Sequence, residues 1–213
     1  TDMRTGLPNA AWLAADQPEV AREECERGRE CWSRLDFYLQ HYYELLAQTH
    51  IDLYVGDGEA AHRRVADGWP KLEGSMLLRI QAIRAESLFL RGRAVLARAH
   101  ARGGDTDALR ELDHVSARLD RQHMPGAHAL SNLLAAGAAR LGGHDERAAG
   151  LLAQAESRFQ TASMALCAAA ARRRRGELIG GSAGARLVAG ADRWMASQTI
   201  KNPAAMTRLI LGF

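Results

Sequence analysis

Leu53-Tyr54-Val55-Gly56-Asp57-Gly58-Glu59-Ala60-Ala61 and Arg140-Leu141-Gly142-Gly143-His144-Asp145-Glu146-Arg147-Ala148-Ala149 are two copies of one pattern. Each passes from an apolar stretch through a glycine turn to an acidic residue and a pair of alanines. Glycine after an apolar run closes a helix, and an acidic residue just beyond it favours the positive end of the next one. Similar breaks fall near Asp16, Gly56, Gly103, Gly143 and Gly180, at intervals of 40, 47, 40 and 37 residues. Self-similarity at this period marks stacked helical hairpins, since one hairpin cannot bury its own apolar face. The expected fold is all-α: a right-handed, tetratricopeptide-like array of antiparallel helix hairpins, an α-solenoid.

Composition agrees with this reading. The chain holds 40 Ala and 27 Leu against 6 Val and 6 Ile, and only 6% of it is aromatic. Strands favour β-branched and aromatic residues, so a sheet-based fold is excluded. The 213 residues read as a single helical-repeat domain over 1–213, four to five hairpins long, with roughly 70% of the unfolded surface buried. The opening Thr1-Asp2-Met3 falls in mid-pattern and reads as the start of a piece cut from a longer protein.

Punctuation places the helices. They are expected from Pro18 to about Ser33, from Asp36 (as cap) to Val55, and from Glu59 to Trp69, with Pro70 as the stop. Ser75 caps a long helix from Met76 to about Arg102, and others run from Asp105, Ala127, Asp145 and Ser163. A helix after Gly180-Gly181 and a short one opened by Asn202-Pro203 complete the chain. The long helix carries two apolar stripes. One is Leu78, Ala82, Ala85, Phe89, Gly92, Leu96 and Ala99; the other is Met76, Ile80, Ile83, Ser87, Leu90, Ala94 and Ala97. Two stripes mean a helix covered on two sides, and the small residues let its neighbours approach closely.

Charge narrows the function classes. Lys71 and Lys201 are the two lysines among 28 basic residues; the other 26 are Arg. Arginine suits carboxylates and phosphates, but Arg-rich, Lys-poor usage is also what a GC-rich genome encodes. The 25 acidic residues are interleaved throughout and the net charge is only +3, so no nucleic-acid partner is expected. No apolar run reaches about 18 residues and no secretory leader opens the chain, so a cytoplasmic protein without a membrane contact is expected. Cys25, Cys31 and Cys167 read as buried, reduced thiols.

No acid, base, nucleophile and metal set converges in the sequence, so neither an enzyme nor a cofactor or metal site is expected. The eight His form no H-E-x-x-H pattern. His123 and His128 flank the Met124-Pro125-Gly126 turn as ordinary loop residues. Gly180-Gly181-Ser182-Ala183-Gly184 follows a helix and contains no Lys, which makes it an inter-helix turn rather than a phosphate loop. Arg172 to Arg175 wrap around their helix near its C-terminal end. Arg84, Arg91 and Arg98 are seven apart and share one face of the long helix, with no acid three or four positions from Arg91 or Arg98. Two readings fit this row: a concave groove that holds an acidic or phosphorylated peptide, or a face paired between repeats. Tyr42 and Tyr43, with Phe37 and Tyr38, form an aromatic cluster that serves equally as a binding hot spot or as core.

Several stretches resemble the C-terminal helical-repeat region of bacterial, myxobacterial-type eukaryotic-like Ser/Thr protein kinases. They are Leu7-Pro8-Asn9-Ala10-Ala11-Trp12-Leu13-Ala14-Ala15-Asp16, then Ser75-Met76-Leu77-Leu78-Arg79, and the run from Trp194 to Met206. In the last, Trp-Met-x-x-Gln-x-Ile-x-Asn-Pro-x-x-Met is the most specific pattern. The 37–47 residue spacing departs from the tetratricopeptide period, and no repeat shows that family's full set of signature residues. The resemblance implies a docking or regulatory module that follows a kinase domain. The kinase's own motifs are absent from these residues. A ligand-sensing helical-repeat domain of a signalling or transcription-regulatory protein is the alternative.

Overall fold

The computed structural model describes residues 4–29, 37–104 and 106–213, and among them there are helices and no strand. A 3-10 turn (Leu7–Asn9) leads into α1 (Ala10–Ala14) and α2 (Pro18–Arg29). The first tightly paired helices are α3 (Leu39–Val55) and α4 (Gly58–Gly74). A second 3-10 turn (Met76–Arg79) precedes α5 (Gln81–Ala101) and α6 (Thr106–Asp120). Then come α7 (Ala127–Leu141), α8 (Asp145–Thr161), α9 (Ala165–Ile179), α10 (Gly181–Ser197) and the short α11 (Pro203–Leu211). The Asp36 cap, Cys31, the expected helix end near Ser33 and the expected start at Asp105 lie outside the described residues.

One closing device recurs at six helix ends. A residue with left-handed backbone, at Asp16, Gly56, Gly103, Gly143, Ser163 and Thr199, is followed by an N–H that reaches back five residues. The bonds are Gln17 N to Trp12 O, Asp57 N to Asp52 O, Gly104 N to Ala99 O, His144 N to Ala139 O, Met164 N to Phe159 O and Ile200 N to Met195 O, all 2.8–3.0 Å. This is a Schellman closure, which satisfies carbonyls that the helix leaves orphaned. At Gly56 the next helix starts at once, with the Asp57 carboxylate accepting from Ala60 N at 2.9 Å.

Two sequence expectations fail for local reasons. Pro70 does not stop α4, which continues to Gly74. Ala61, Val65, Trp69 and Leu72 form a single buried stripe that extends past the proline and holds the last turn in place. Ser75 caps the 3-10 turn, its hydroxyl accepting from Leu77 N at 3.3 Å, and the long helix begins only after Ile80, whose backbone is extended. Met76 and Ile80 are accordingly exposed, Ile83 is half-buried, and the stripes are buried from Ala85 and Ser87 onward, apart from the half-buried Ala97.

Consecutive helices from α3 to α10 pack against one another, and α3, α5 and α7 also lie side by side. α9 joins that row through α8 and α11. The core is continuous across the described helices, with Tyr42, Tyr54 and Phe159 as its largest fully buried side chains. Arginine–carboxylate pairs stitch the helices together. Asp52 of α3, 2% exposed, accepts from Arg22 of α2 at 3.1 Å and from Arg64 of α4 at 2.8 Å. Glu156 of α8 holds Arg172 and Arg175 of α9 at 2.7 and 2.9 Å. Cys25 is buried and free, and burial pushes its thiol up to about 12.

Candidate functional site

On a 3.6-residue helix, Glu86, Arg93 and His100 stand one above another, seven apart. On α5 this row runs between the two buried stripes, with Phe89 and Leu96 on one side and Leu90 and Ala97 on the other. Three ionisable side chains are therefore walled in by apolar neighbours. Glu86 accepts a hydrogen bond from the Tyr42 hydroxyl of α3. Arg93, only 3% exposed, lies over the Phe89 ring at 4.6 Å. It donates through Nη1 to the Leu209 carbonyl at 2.8 Å and through Nη2 toward Nε2 of the buried His50 at 3.1 Å. His100 stacks on the Phe213 ring, with centroids 5.3 Å apart and planes 11° from parallel.

Burial sets the charge states. Desolvation lowers Arg93 to about 10, with Glu86 opposing the shift, and the guanidinium keeps its proton at neutral pH. His50 is pushed well below its ordinary value by burial first and by Arg93 second. A guanidinium only donates, so Nε2 of His50 is the acceptor and the imidazole is neutral, with its proton on Nδ1. His100 falls to about 4 through burial, aided by Arg140 and Arg174.

What this row faces is α11. Asn202 caps it by accepting from Ala205 N at 3.1 Å, Pro203 occupies the first turn, and Met206, Leu209, Ile210 and Leu211 are buried. Gly212 ends it in the left-handed region, at φ 80°, pressed onto α5 so closely that a Cβ there would lie 2.4 Å from the Arg93 carbonyl oxygen. Arg208 donates to the Tyr54 carbonyl of α3 at 2.9 Å. Arg174 of α9 donates to the Phe213 carbonyl and lies 5.2 Å from that ring. Upstream of α11, Lys201 N reaches the Ala14 carbonyl at 2.9 Å, and Asn202 and Tyr54 both donate to Asp16, at 3.3 and 2.7 Å. Residues 200–213 thus span the fold from the α1–α2 turn across α3 and α5 to α9.

The cationic end of this site is consistent with its occupant. Arg93 and Arg174 sit at the negative pole of α11, where carbonyls face outward without intrahelical partners. Yet the Nε atoms of Arg93, Arg174 and Arg208 are all buried with no hydrogen-bond partner.

Of the five residues singled out from the sequence, Tyr42 touches this row through Glu86 and the other four sit elsewhere. Arg91 is two positions from Arg93, some 200° around the helix, and so points away from α11. It pairs with Glu111 of α6 at 2.6 Å and lies 4.7 Å over the Trp69 ring of α4. Arg84 donates to Gln122 at 2.9 Å and to the Leu78 carbonyl at 2.8 Å, and Arg98 meets His62 of α4 at 3.4 Å. The row therefore lies between helix pairs rather than facing α11, and Glu111, the acid that pairs with Arg91, comes from the next helix, beyond the reach of i,i+4 counting. Tyr42 is fully buried, and Tyr43 packs against Gly6, whose N–H donates to the Tyr43 carbonyl at 3.1 Å.

Arg93, His50, His100, Arg174 and Phe213 were missed. A signal for the first and third was present: an ionisable row at heptad spacing between two apolar stripes. Residue spacing carries no equivalent signal for Phe213 or Arg174, which meet across 39 residues.

An open cleft of about 1700 Å3 lies between the start of α3 and the end of α4, lined by Tyr38, Leu39, Glu44, Arg64, Lys71 and Met76 among others. Among the described residues no cluster of three or more His, Cys, Asp or Glu side chains could hold a metal ion, and no helix is long and apolar enough to cross a membrane. No family model, no curated protein and no solved structure matches the chain.

Proposed function

We propose that the chain is a non-catalytic helical-repeat scaffold that docks a protein or peptide, built as a tetratricopeptide-like right-handed array of antiparallel hairpins. The observation that carries this reading is the seating of α11. A short amphipathic helix is held across α3, α5 and α9 through its apolar face and through backbone carbonyls taken by arginines, the kind of contact by which helix-in-groove recognition works. The repeated six-fold turn closure and the sequential helix packing support the array. The end-to-end sequence resemblance supports its placement as a cytoplasmic regulatory module of a bacterial Ser/Thr kinase signalling protein, with an acidic or phosphorylated segment as partner.

Fluorescence anisotropy with acidic and phosphorylated peptides tests the docking role. Saturable binding that weakens with salt is expected. No saturation by any such peptide at low salt would remove the reading. The cleft between α3 and α4, with charged and apolar walls together, favours ligand sensing as the second reading. A small molecule that raises the melting temperature, and loses that effect in Arg64→Ala, would support it.

A further inference from the structure

The open cleft between α3 and α4 joins a polar floor to an apolar rim. Gln48 of α3 lines it although only 7% exposed, and its Oε1 accepts from Arg22 Nη1 at 3.3 Å. That bond fixes which way the amide lies, and the amide NH2 makes no hydrogen bond to any described residue. Arg64 of α4 lines the cleft as well; it gives Nε to Asp52 at 2.8 Å and leaves both Nη groups without a bond to any described residue. Asp52, one turn beyond Gln48, also takes Arg22 Nη2 at 3.1 Å, so one hydrogen-bonded chain from Gln48 through Arg22 and Asp52 holds Arg64 in place. Donors tied down behind and open in front are preorganised for an acceptor. The acid on the α3 wall, Glu44, is already faced by Arg29 at 3.9 Å; burial raises its carboxyl against the pull of Arg29, His41 and Arg64. Below, a Cβ on Gly68 would lie 3.1 Å from the Leu45 side chain, which is 8% exposed. Around the opening stand Tyr38, Leu39 and Met76, three of the seven large apolar side chains exposed among the described residues.

We propose that this cleft binds an apolar monocarboxylate of the fatty-acid class, its carboxylate held by the Gln48 amide and the Arg64 guanidinium and its chain lying along Leu45, Leu39 and Met76. The inference rests on the ligand-sensing reading above and names the class of ligand. Two donor groups match the two oxygens of one carboxylate, and a hydrogen bond with ionised partners is roughly twice as strong as a neutral one. A phosphate, with three strong acceptor oxygens, asks for more donors than this floor offers. The rim takes the chain out of water, and each methylene so covered adds to affinity. The cleft, of about 1700 Å3, admits such a chain while the helices stay where they are.

Isothermal titration calorimetry on the full chain tests this, with sodium decanoate and 1-decanol as probes, both kept below the concentration at which they self-associate. Decanoate should bind saturably at one site, and decanol, with the same chain and no charge, about tenfold more weakly. Gln48→Glu keeps an oxygen for Arg22 and exchanges the free NH2 for a second carboxylate oxygen. It should weaken decanoate about tenfold and leave decanol unchanged. Equal affinity for the two probes, or undiminished decanoate binding by Gln48→Glu, overturns the inference and leaves ligand sensing standing. If neither probe binds, the inference is also overturned; ligand sensing then falls only if no small molecule raises the melting temperature in the Arg64-dependent way given above. Should Gln48→Glu lose its helical circular dichroism, Met76→Glu decides, since that side chain is 62% exposed and its replacement leaves the core intact. A carboxylate on the rim should weaken decanoate about tenfold, and unchanged binding there refutes the proposed seat.

Discussion

Gly184→Ala should destabilise the protein although alanine is the better helix former. Gly184 of α10 and Gly176 of α9 meet backbone to backbone: a Cβ on Gly184 would lie 2.3 Å from the Gly176 carbonyl oxygen, and one on Gly176 2.7 Å from the Gly184 oxygen. The obstacle is main chain and cannot rotate away, so two helices must separate by about 0.7 Å to reach the 3.0 Å floor of real Cβ contacts. Overpacking of this kind costs about 1–3 kcal/mol, and the upper half applies where nothing flexible yields. Against it stands a helix-propensity gain of at most about 1 kcal/mol. The net is about 1–2 kcal/mol of lost stability, or a melting temperature roughly 2–8 °C lower for a chain of this length. Two controls calibrate the sign. Gly150 in α8 has nothing within 4 Å of its Cβ position, so Gly150→Ala keeps the whole propensity gain, about 0.5–1 kcal/mol of stabilisation. At Gly92 the obstacle is the Leu134 side chain at 2.4 Å, which can turn at some cost, so Gly92→Ala falls between the two. Thermal melts followed by circular dichroism read all three. A Gly184→Ala protein as stable as the parent would mean that α9 and α10 do not cross at these residues.

Four further outcomes are expected. Below pH 6.5 the folded state should weaken progressively toward pH 4. His100 titrates at about 4 when folded and near 6.5 when unfolded, so the unfolded chain binds more protons in that window; His50 shifts in the same direction. Stability that stays flat from pH 7 to pH 4 would place both rings in water. Asp52→Asn should cost about 1–3 kcal/mol in a denaturant titration, because it leaves Arg22 and Arg64 without the carboxylate that joins three helices. Arg91→Glu should lower the melting temperature and Arg91→Glu with Glu111→Arg should restore most of it; failure of the second change to rescue would show that the pair is not formed. Ala85→Phe, at a site 1% exposed, should destabilise by about 1–3 kcal/mol, and a neutral melt would contradict its burial.

The glycine-marked breaks were legible because glycine is the cheapest residue in left-handed backbone. Gly56, Gly103 and Gly143 announce their turns, and the helices beyond them start within a few residues of the expected positions. Ser163 and Thr199 make the same closure without glycine, so nothing in their residue type discloses it. Pro70 misled in the opposite direction: the local cost of a proline was outweighed by burial of Trp69 and Leu72, which is a tertiary effect. The site was half legible. Counting by sevens found a cationic row on α5, but the row that faces α11 is the one displaced by two residues, and choosing between them requires asking which positions the apolar stripes enclose.

That choice bears on what an arginine-rich composition means. Most of the guanidinium groups described above are absorbed by a carboxylate on a neighbouring helix: Arg22 and Arg64 by Asp52, Arg172 and Arg175 by Glu156, Arg173 by Asp192, Arg102 by Glu59. Such pairs explain the interleaved acids and the small net charge without any ligand, because each helix interface needs its own complement. Arg93 breaks the pattern. It is more deeply buried than any of these arginines; it donates to a carbonyl and toward an imidazole, and the carboxylate that opposes its desolvation is Glu86 of the same helix. The most desolvated guanidinium of the set is thus balanced by a carboxylate of its own helix, two turns away, rather than across a helix interface, and Tyr42 of α3 ties that carboxylate in place.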